Sequence, residues 1–363
     1  MEQFFTTDLV SDSAKAAIGA AVIGLVFGLF SQRSQFCLRA ATIEVWRGKP
    51  GGKLAIWLLA FAAALLSVQL LVQLDLIPLE DVRQLTSVGS LSGALIGGAL
   101  FGSGMILARG CASRILVLSA TGNLRALITG LLLTVIAQSS LRGVLSPLRE
   151  QLSGLWLIEP GNRSFAGYLP EYFGIILGVS LFVLALIMVA RNDIGLFKPI
   201  AAVIVGLSVA AGWLFTAQLS AASFDTVAIE SITFTGPSAN TLMALINEPS
   251  LPFSFGIGLV PGVFAGSFIG SILSGTFKVE RFSVETGMGR YITGAVMMGF
   301  GGMLAGGCAV GAGLTGVSVF SLTALVALSS MWVSAGLTDM MLDREQSFGT
   351  GVLAKWPFNK SVA

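Results

Sequence analysis

The sequence predicts an all-α integral membrane protein with about nine transmembrane helices, several short re-entrant half-helices and an internal repeat of inverted topology. Three observations predict this fold: an apolar composition, apolar runs that can cross a bilayer, and a Gly–Cys segment that occurs twice. Hydrophobic residues make up 54% of the 363 residues, charged residues make up 11%, and the mean hydropathy is +0.86. A soluble domain carries about 25% charged residues, so we expect a single domain embedded in lipid.

Nine apolar runs of the chain reach the length of about 17–25 residues that crosses a bilayer. They lie at about 16–32, 54–74, 89–108, 124–144, 171–190, 199–216, 253–275, 290–306 and 320–338. Between them are Gly-rich stretches too short to span, at 33–46, 109–121, 230–246 and 307–318. Irregular backbone is tolerated at membrane depth only where protein buries it or where it lines a cavity. We therefore expect these four stretches to be re-entrant.

A sixteen-residue segment that ends in Gly-Cys-Ala occurs in each half of the chain. GGALFGSGMILARGCA at Gly97–Ala112 aligns, at an offset of 197, with GAVMMGFGGMLAGGCA at Gly294–Ala309, and eight of the sixteen positions are identical. The identities cluster at Gly-x-Gly and Gly-Cys-Ala rather than at leucine and valine, so a shared apolar composition does not account for them. Many transporters are duplicated in this way and bind substrate where discontinuous helices of the two halves meet.

Loop charges predict the orientation, because cytoplasmic loops are enriched in lysine and arginine. Four connections are basic and are assigned to the cytoplasm, through Arg33, Arg39, Arg47, Lys49, Lys53, Arg109, Arg114, Arg125, Arg191, Lys198, Lys278, Arg281 and Arg290. The loops at 75–88 and 217–252 are predominantly acidic and are assigned to the outside. With nine spans, the N-terminus is then outside and the C-terminus is cytoplasmic.

The same assignment predicts that the two halves are inverted. Repeat one covers about 16–144, repeat two covers about 199–338, and a spanning helix at about 171–190 links them. Five spans, an odd number, precede repeat two, so its first helix crosses the membrane in the opposite direction to the first helix of repeat one. Inverted repeats are typical of transport folds.

The cysteines close the Gly-rich turns, where glycine permits tight backbone and leaves N–H groups uncovered. Amides at the start of a short helix favour an anion, and a thiol adds a polarisable, weak hydrogen-bond donor. The third cysteine, Cys37, aligns with Thr233–Ser238, which has hydroxyls and a Gly-Pro break. A lone cysteine in a membrane helix is usually a packing residue, but Cys111 and Cys308 at equivalent turns indicate a function. Candidate substrate-binding residues are Cys37, Cys111, Cys308, Gly110, Gly307, Thr235 and Gly236.

Several classes of function are disfavoured by the residues that the chain contains. It has no histidine, and its three cysteines form no CxxC motif, so neither a zinc site nor a disulfide framework is expected. A net charge of +2 predicts no nucleic-acid partner. We expect no catalytic residues, no metal and no cofactor. We interpret Arg39 and Arg109 as membrane anchors or as attractors of an anion, and Asp339 as part of a solvated cytoplasmic end.

The elements SQFCLRAA, ARGCASRIL and AGGCAVGAGLTG, together with TFTGPSA, resemble the YeeE/YedE family of bacterial inner-membrane proteins, in particular its thiosulfate transporters. The resemblance covers nearly the whole chain. It implies nine spanning helices and half-helices in an hourglass shape. It also implies that Cys37, Cys111 and Cys308 relay thiosulfate by S–H hydrogen bonds, and that a small cytoplasmic TusA-like sulfur-carrier protein is a partner.

Two other functions stay open. Some members of the family are linked to selenium or to other sulfur compounds, so the substrate of this chain could be one of those. A membrane sulfurtransferase would use Cys111 or Cys308 as its nucleophile. That reaction needs a group that activates the thiol, and the sequence shows no histidine and no carboxylate beside either cysteine.

Overall fold

The computed structural model describes residues 11–223, 227–249, 252–280 and 287–342, most of which are helical. The long helices are α1 (Asp12–Ser34), α3 (Gly52–Gln73), α5 (Leu91–Leu107), α7 (Leu124–Arg142), α9 (Phe173–Arg191), α10 (Phe197–Ala222), α12 (Phe255–Leu273), α13 (Met288–Leu304) and α14 (Leu322–Leu342). The shorter helices are α2 (Leu38–Trp46), α4 (Arg83–Thr86), α6 (Ala112–Ala120), α8 (Ser146–Gly154), α11 (Thr235–Asn247) and a π-helical segment, Gly311–Gly316. Single 3₁₀ turns lie at Leu79–Asp81, Pro160–Asn162 and Ala166–Tyr168, and two-residue strands, β1 (Gly89–Ser90) and β2 (Leu157–Ile158), pair antiparallel.

Eight helical stretches of the described chain are long and apolar enough to cross a membrane, so the protein is a multi-pass membrane protein. The ninth predicted span, 290–306, is helix α13, whose 17 residues are at the lower limit of a spanning length. The four stretches predicted to be re-entrant contain the short helices α2, α6 and α11 and the π-helical segment. The all-α membrane fold is therefore confirmed.

Helices α5 and α13 cross in direct backbone contact. A Cβ built on Gly97 would lie 2.6 Å from the carbonyl oxygen of Gly301, and one on Gly301 would lie 2.7 Å from that of Gly97. Gly104 and Gly294 stand in the same reciprocal relation, at 2.7 Å in both directions. Residue numbers rise along one helix as they fall along the other, so the pair is antiparallel. Glycine is what allows the two backbones to approach this closely.

The packing of the other helices is repeated between the two halves. At the offset of 197, α1 is equivalent to α10 and α3 is equivalent to α12; α1 packs on α12, and in the same way α10 packs on α3. Helix α5 packs on α14, and correspondingly α13 packs on α7. The short helices follow the same rule, since α2 contacts α3 and α14 while α11 contacts α12 and α7. Helix α9, whose described contacts are mainly with α3, has no counterpart in this scheme.

Loops that the charges assign to one side of the membrane contact each other. On the side predicted to be cytoplasmic, the amide of Lys278 donates to the carbonyl of Thr121 at 3.2 Å. On the other side, the guanidinium of Arg83 donates to the carboxylate of Glu230 at 2.6 Å. Loops that the charges assign to the same side of the membrane therefore lie next to each other in the fold. Three parts of the sequence argument lie outside the described residues. They are Asp225 in the acidic loop at 217–252, Arg281 among the basic residues, and the C-terminal end at 343–363.

The prediction that Asp339 is solvated is wrong. Its residue is only 1% exposed, and its carboxylate accepts two hydrogen bonds of 2.8 Å from Arg47. The neighbouring Trp46 covers Gly336, one turn before Asp339 on α14. The sequence placed Asp339 near a helix end but could not show that α2 packs there. This ion pair fixes the end of α2, the helix that begins immediately after Cys37.

We expect Gly301→Ala to destabilise the protein by about 1–3 kcal/mol, the usual cost of inserting a methyl group into closely packed backbone. The added Cβ would stand 2.7 Å from the carbonyl oxygen of Gly97. Gly154→Ala is the matched control, because a Cβ there would meet nothing within 4 Å. The measurement is the temperature at which half of the detergent-purified protein loses its monodisperse elution peak. Equal temperatures for the two variants would contradict the close crossing.

Candidate functional site

The three cysteines occupy the same local position, immediately before a short helical segment. Cys37 precedes α2, Cys111 precedes α6, and Cys308 precedes residues 309–318, whose centre is π-helical. Phe234 holds the fourth such position, before α11. The offset of 197 pairs Cys37 with Phe234 and Cys111 with Cys308. All three thiols are free; Cys111 and Cys308 are buried, and Cys37 is half-buried.

These positions differ from the starts of several long helices. Ser11, Ser90, Asn123 and Ser254 cap α1, α5, α7 and α12 with a side-chain oxygen that accepts an amide hydrogen bond. Such residues are the preferred N-caps, whereas cysteine and phenylalanine are not. The short helices therefore begin with residues that cap poorly, which leaves the amides of their first turns less fully satisfied.

The same turn leads into Cys111 and into Cys308. After α5 the backbone of Arg109 is left-handed (φ 55°), and the amide of Gly110 donates to the carbonyl of Met105 at 3.1 Å. After α13, Gly306 is left-handed (φ 77°), and the amide of Gly307 donates to the carbonyl of Gly302 at 2.9 Å. This pattern is the Schellman motif that ends many helices. The amides of Gly110 and Gly307, expected to be uncovered, are therefore used by the turns.

Cys308 lies in a polar pocket of backbone and hydroxyl groups. The amide of Gly311 donates to its sulfur at 3.4 Å, and the hydroxyl of Thr233 lies 3.9 Å from the sulfur. Both Cys308 and the following π-helical segment are fully buried. Isolated π-turns are found frequently at functional sites. We call Cys308 and Thr233 the single-thiol site.

Cys37 and Cys111 form a second group, here called the paired-thiol site. Their thiols are near enough to act electrostatically on each other, and the sulfur of Cys111 lies 3.3 Å from the hydroxyl of Ser113. The guanidinium groups of Arg39 and Arg114 are near enough to act electrostatically on Cys37. The amides of Ala40 and Arg114, three residues into each helix, also lie beside the two sulfurs, but without full cap geometry.

The two sites lie at opposite ends of the α5–α13 crossing. Ala108, which begins the turn to Cys111, packs against Gly294, whereas Ala305, which begins the turn to Cys308, packs against Gly97. The eleven residues from Gly97 to Ala108 span about 16 Å of helix. The structure therefore brings Cys37 and Cys111 together and keeps Cys308 apart from them.

The start of α11 contributes polar and apolar groups near this crossing. Thr235 is fully buried, its hydroxyl has no hydrogen-bond partner among the described residues, and a Cβ on Gly302 would lie 2.9 Å from it. A Cβ on Gly236 would meet nothing within 4 Å, so open space adjoins that residue. Phe234 packs on Phe27 with ring centroids 5.4 Å apart, and both rings are buried. A small ligand here would meet a free hydroxyl beside an aromatic barrier.

Charge is distributed unequally between the two sites. At the offset of 197, three arginines of the first half align with glycines of the second: Arg39 with Gly236, Arg109 with Gly306, and Arg114 with Gly311. The paired-thiol site is consequently cationic, whereas the single-thiol site offers neutral donors only. Among the described residues, no group of three or more His, Cys, Asp or Glu could hold a metal ion.

Sequence reasoning did not select three residues that act on the thiols: Ser113 and Thr233 through their hydroxyls, and Arg114 through its charge and its backbone amide. Each lies within three residues of a cysteine or of its aligned position. Their proximity in sequence was visible, but many hydroxyls and arginines lie equally near. Only the direction of each short helix shows which of these side chains reaches a sulfur.

Comparison with known proteins agrees with this geometry. A model of the family described as sulphur transport matches residues 33–337. The chain is 27% identical over 352 residues to the thiosulfate transporter TsuA of Escherichia coli, an alignment that covers 91% of this chain and 96% of that protein. It is 26% identical over 321 residues to the thiosulfate transporter TsuA of Spirochaeta thermophila, with 84% and 93% covered.

Proposed function

The chain belongs to the sulphur transport family, and we propose that it takes up thiosulfate across the bacterial inner membrane. The ion passes from the single-thiol site to the paired-thiol site, held at each by S–H hydrogen bonds. Cys37, Cys111 and Cys308 bind its sulfur, while the hydroxyl of Thr235 and the open space at Gly236 serve the passage between them. Gly110 and Gly307 act by shaping the turns that present the thiols.

The observation that carries this proposal is the set of groups around the three sulfurs. Their described partners are amides, hydroxyls, another thiol and arginine charges. All of these can donate to an anion or attract it, and a carboxylate, which would repel a dianion, is not among them. A thiol is a weak, polarisable donor, suited to the soft terminal sulfur of thiosulfate. Weak contacts also let the ion leave again, which conduction requires.

The repeated packing supports an inverted repeat, with halves at about 16–144 and 199–338 joined by α9. Antiparallel contact between equivalent helices α5 and α13, and the exchange of partners between the halves, are what a two-fold axis in the membrane plane would produce. With the basic loops cytoplasmic, the N-terminus is outside and the C-terminus is inside. The paired-thiol site then lies toward the cytoplasm and the single-thiol site toward the outside.

A small cytoplasmic TusA-like sulfur-carrier protein is the proposed acceptor of the imported sulfur. The resemblance in the cysteine elements supports this partner. Sulfurtransferase activity of the chain itself is disfavoured, because no described side chain beside Cys111 or Cys308 can act as a general base.

Uptake of radiolabelled thiosulfate into proteoliposomes tests the substrate. We expect unlabelled thiosulfate to compete fully and sulfate to compete poorly, since sulfate has the same charge but no terminal sulfur for the S–H groups. Uptake of selenite by the same proteoliposomes tests whether the chain is a selenium transporter instead. Strong competition by sulfate, or uptake of selenite in preference to thiosulfate, would overturn the proposed substrate. Release of sulfite from thiosulfate by the purified protein alone would favour the sulfurtransferase.

Cys111→Ala and Cys308→Ala should each lower uptake about ten-fold to one-hundred-fold, the range for losing a hydrogen bond to a charged ligand. Abundance in the membrane should stay near that of the unaltered protein, because the sites are small and little packing is lost. Cys111→Ser keeps the shape and removes the soft donor, so it should also be impaired. Ser140→Ala is the control, a buried hydroxyl on α7 bonded within its own helix. Equal uptake by the cysteine variants and the control would show that the thiols only pack.

Reporter fusions test the orientation. A reporter fused after Ala363 should be active in its cytoplasmic form only, and one inserted near Ser223 in its external form only, because the flanking loops differ in charge as cytoplasmic and external loops do. The measurement is the ratio of a cytoplasmic to a periplasmic reporter activity at each point. Finding both reporter positions on the same side of the membrane would contradict the proposed inverted repeat.

A further inference from the structure

A cavity of about 640 Å³ opens at the face predicted to be cytoplasmic, and its lining, which includes Gln35, contains none of the three cysteines. Its walls come from the end of α1, the connection between α9 and α10, and the end of α12. None of the candidate substrate-binding residues lines it. The volume falls in the range of small-molecule sites.

Two cations, Arg33 and Lys198, line the cavity, and neither is neutralised by a carboxylate in the described part of the chain. Arg33 lies with its guanidinium 5.3 Å from the centre of the Phe197 ring, and Lys198 is the next residue along the chain. Asp193 is the acidic side chain among the lining residues, and Lys53 reaches the rim by donating to Gln35 at 2.9 Å. The balance of charge favours an anion.

Polar donors and acceptors from the ends of α1 and α12 also line the cavity. The amide nitrogen of Gln32 donates to the hydroxyl of Thr276 at 2.9 Å, and that hydroxyl lies 2.8 Å from the hydroxyl of Ser274. This short chain of polar groups joins α1 to the end of α12. It offers hydroxyl groups that can turn toward a ligand with several oxygen atoms.

Apolar side chains project outward beside the cavity. Leu196 is 79% exposed, Phe197 is 55% exposed and Ile200 is 56% exposed, and all three lie at the end of a spanning helix. Because α10 is one of the helices that can cross a membrane, apolar side chains exposed at its start are available to acyl chains. A ligand seated in the cavity would therefore have water on one side and lipid on the other. A free small anion gains nothing from the apolar rim, whereas a lipid does.

We propose that this cavity binds the phosphate group of an anionic phospholipid. Arg33 and Lys198 contact the phosphate, the hydroxyls of Ser274 and Thr276 contact the polar headgroup, and the acyl chains lie along Leu196 and Ile200. Basic pockets between spanning helices bind acidic headgroups in this way. The bound lipid joins α1 to α10, the first helices of the two proposed halves, and stabilises their packing.

The test compares Arg33→Gln/Lys198→Gln with Lys49→Gln/Arg142→Gln. The second pair removes the same charge from exposed basic residues outside the cavity. Detergent-purified, delipidated protein is titrated with phosphatidylglycerol, and bound lipid is counted by native mass spectrometry. Each basic residue near an anionic headgroup contributes about five-fold in affinity, so the cavity variant should bind about 30-fold more weakly while the control is unchanged.

Two further probes decide whether the site takes a lipid. Phosphatidylcholine, with the same acyl chains but no net charge, should bind far more weakly than phosphatidylglycerol. Glycerol 3-phosphate, with the phosphate but no acyl chains, should not raise the thermal stability that phosphatidylglycerol raises. Equal binding of phosphatidylglycerol by the cavity and control variants would overturn the proposal, and so would equal stabilisation by glycerol 3-phosphate. Thiosulfate uptake is not needed for any of these results, so they stand apart from the proposed function.

Discussion

The backbone contact between α5 and α13 determines where the thiols can be. Because Gly97, Gly104, Gly294 and Gly301 have no side chain, the two helices cross with carbonyl oxygens where Cβ atoms would otherwise be. Each helix ends in the same Schellman turn and delivers a cysteine just beyond it. Since the helices are antiparallel, the two cysteines must emerge at opposite ends of the crossing. A parallel pair would have produced one cluster of thiols instead of two separate sites.

The residue at the start of a helix determines how firmly the amides of its first turn are held. A serine or asparagine cap stabilises a helix by about 1 kcal/mol relative to a residue that cannot cap, and four long helices have one. The short helices begin with Cys37, Cys111, Phe234 and Cys308 and forgo much of that stabilisation. A hydroxyl or carboxylate there would hold the first-turn amides firmly. A thiol holds them weakly, so the same amides and the S–H group stay available to a passing anion.

Local patterns in the sequence predicted well what depends on neighbouring residues. The lengths of the apolar runs predicted the long helices, and Gly-rich stretches predicted the four short helical segments. The amides of Gly110 and Gly307 were misjudged because the motif that uses them depends on a left-handed residue before each. Of those two residues, Arg109 and Gly306, only the glycine indicates a left-handed conformation from sequence. Contacts between distant segments were not predictable. The Arg47–Asp339 pair spans 292 positions of the chain, and the hydroxyl of Thr233 reaches Cys308 across 75.

The replacement of Arg39, Arg109 and Arg114 by glycine in the second half bears on the direction of transport in the proposed orientation. A dianion that enters a cell moves against a potential that is negative inside, at about 4.6 kcal/mol per 100 mV for the full crossing. Arginines near Cys37 lower the free energy of the ion where this opposition is greatest. In the proposed mechanism, the neutral donors around Cys308 would bind the ion more weakly at the outer site. In the proposed inverted repeat, symmetry gives two similar thiol sites, and the asymmetric distribution of charge makes the proposed inner site the more favourable for an anion.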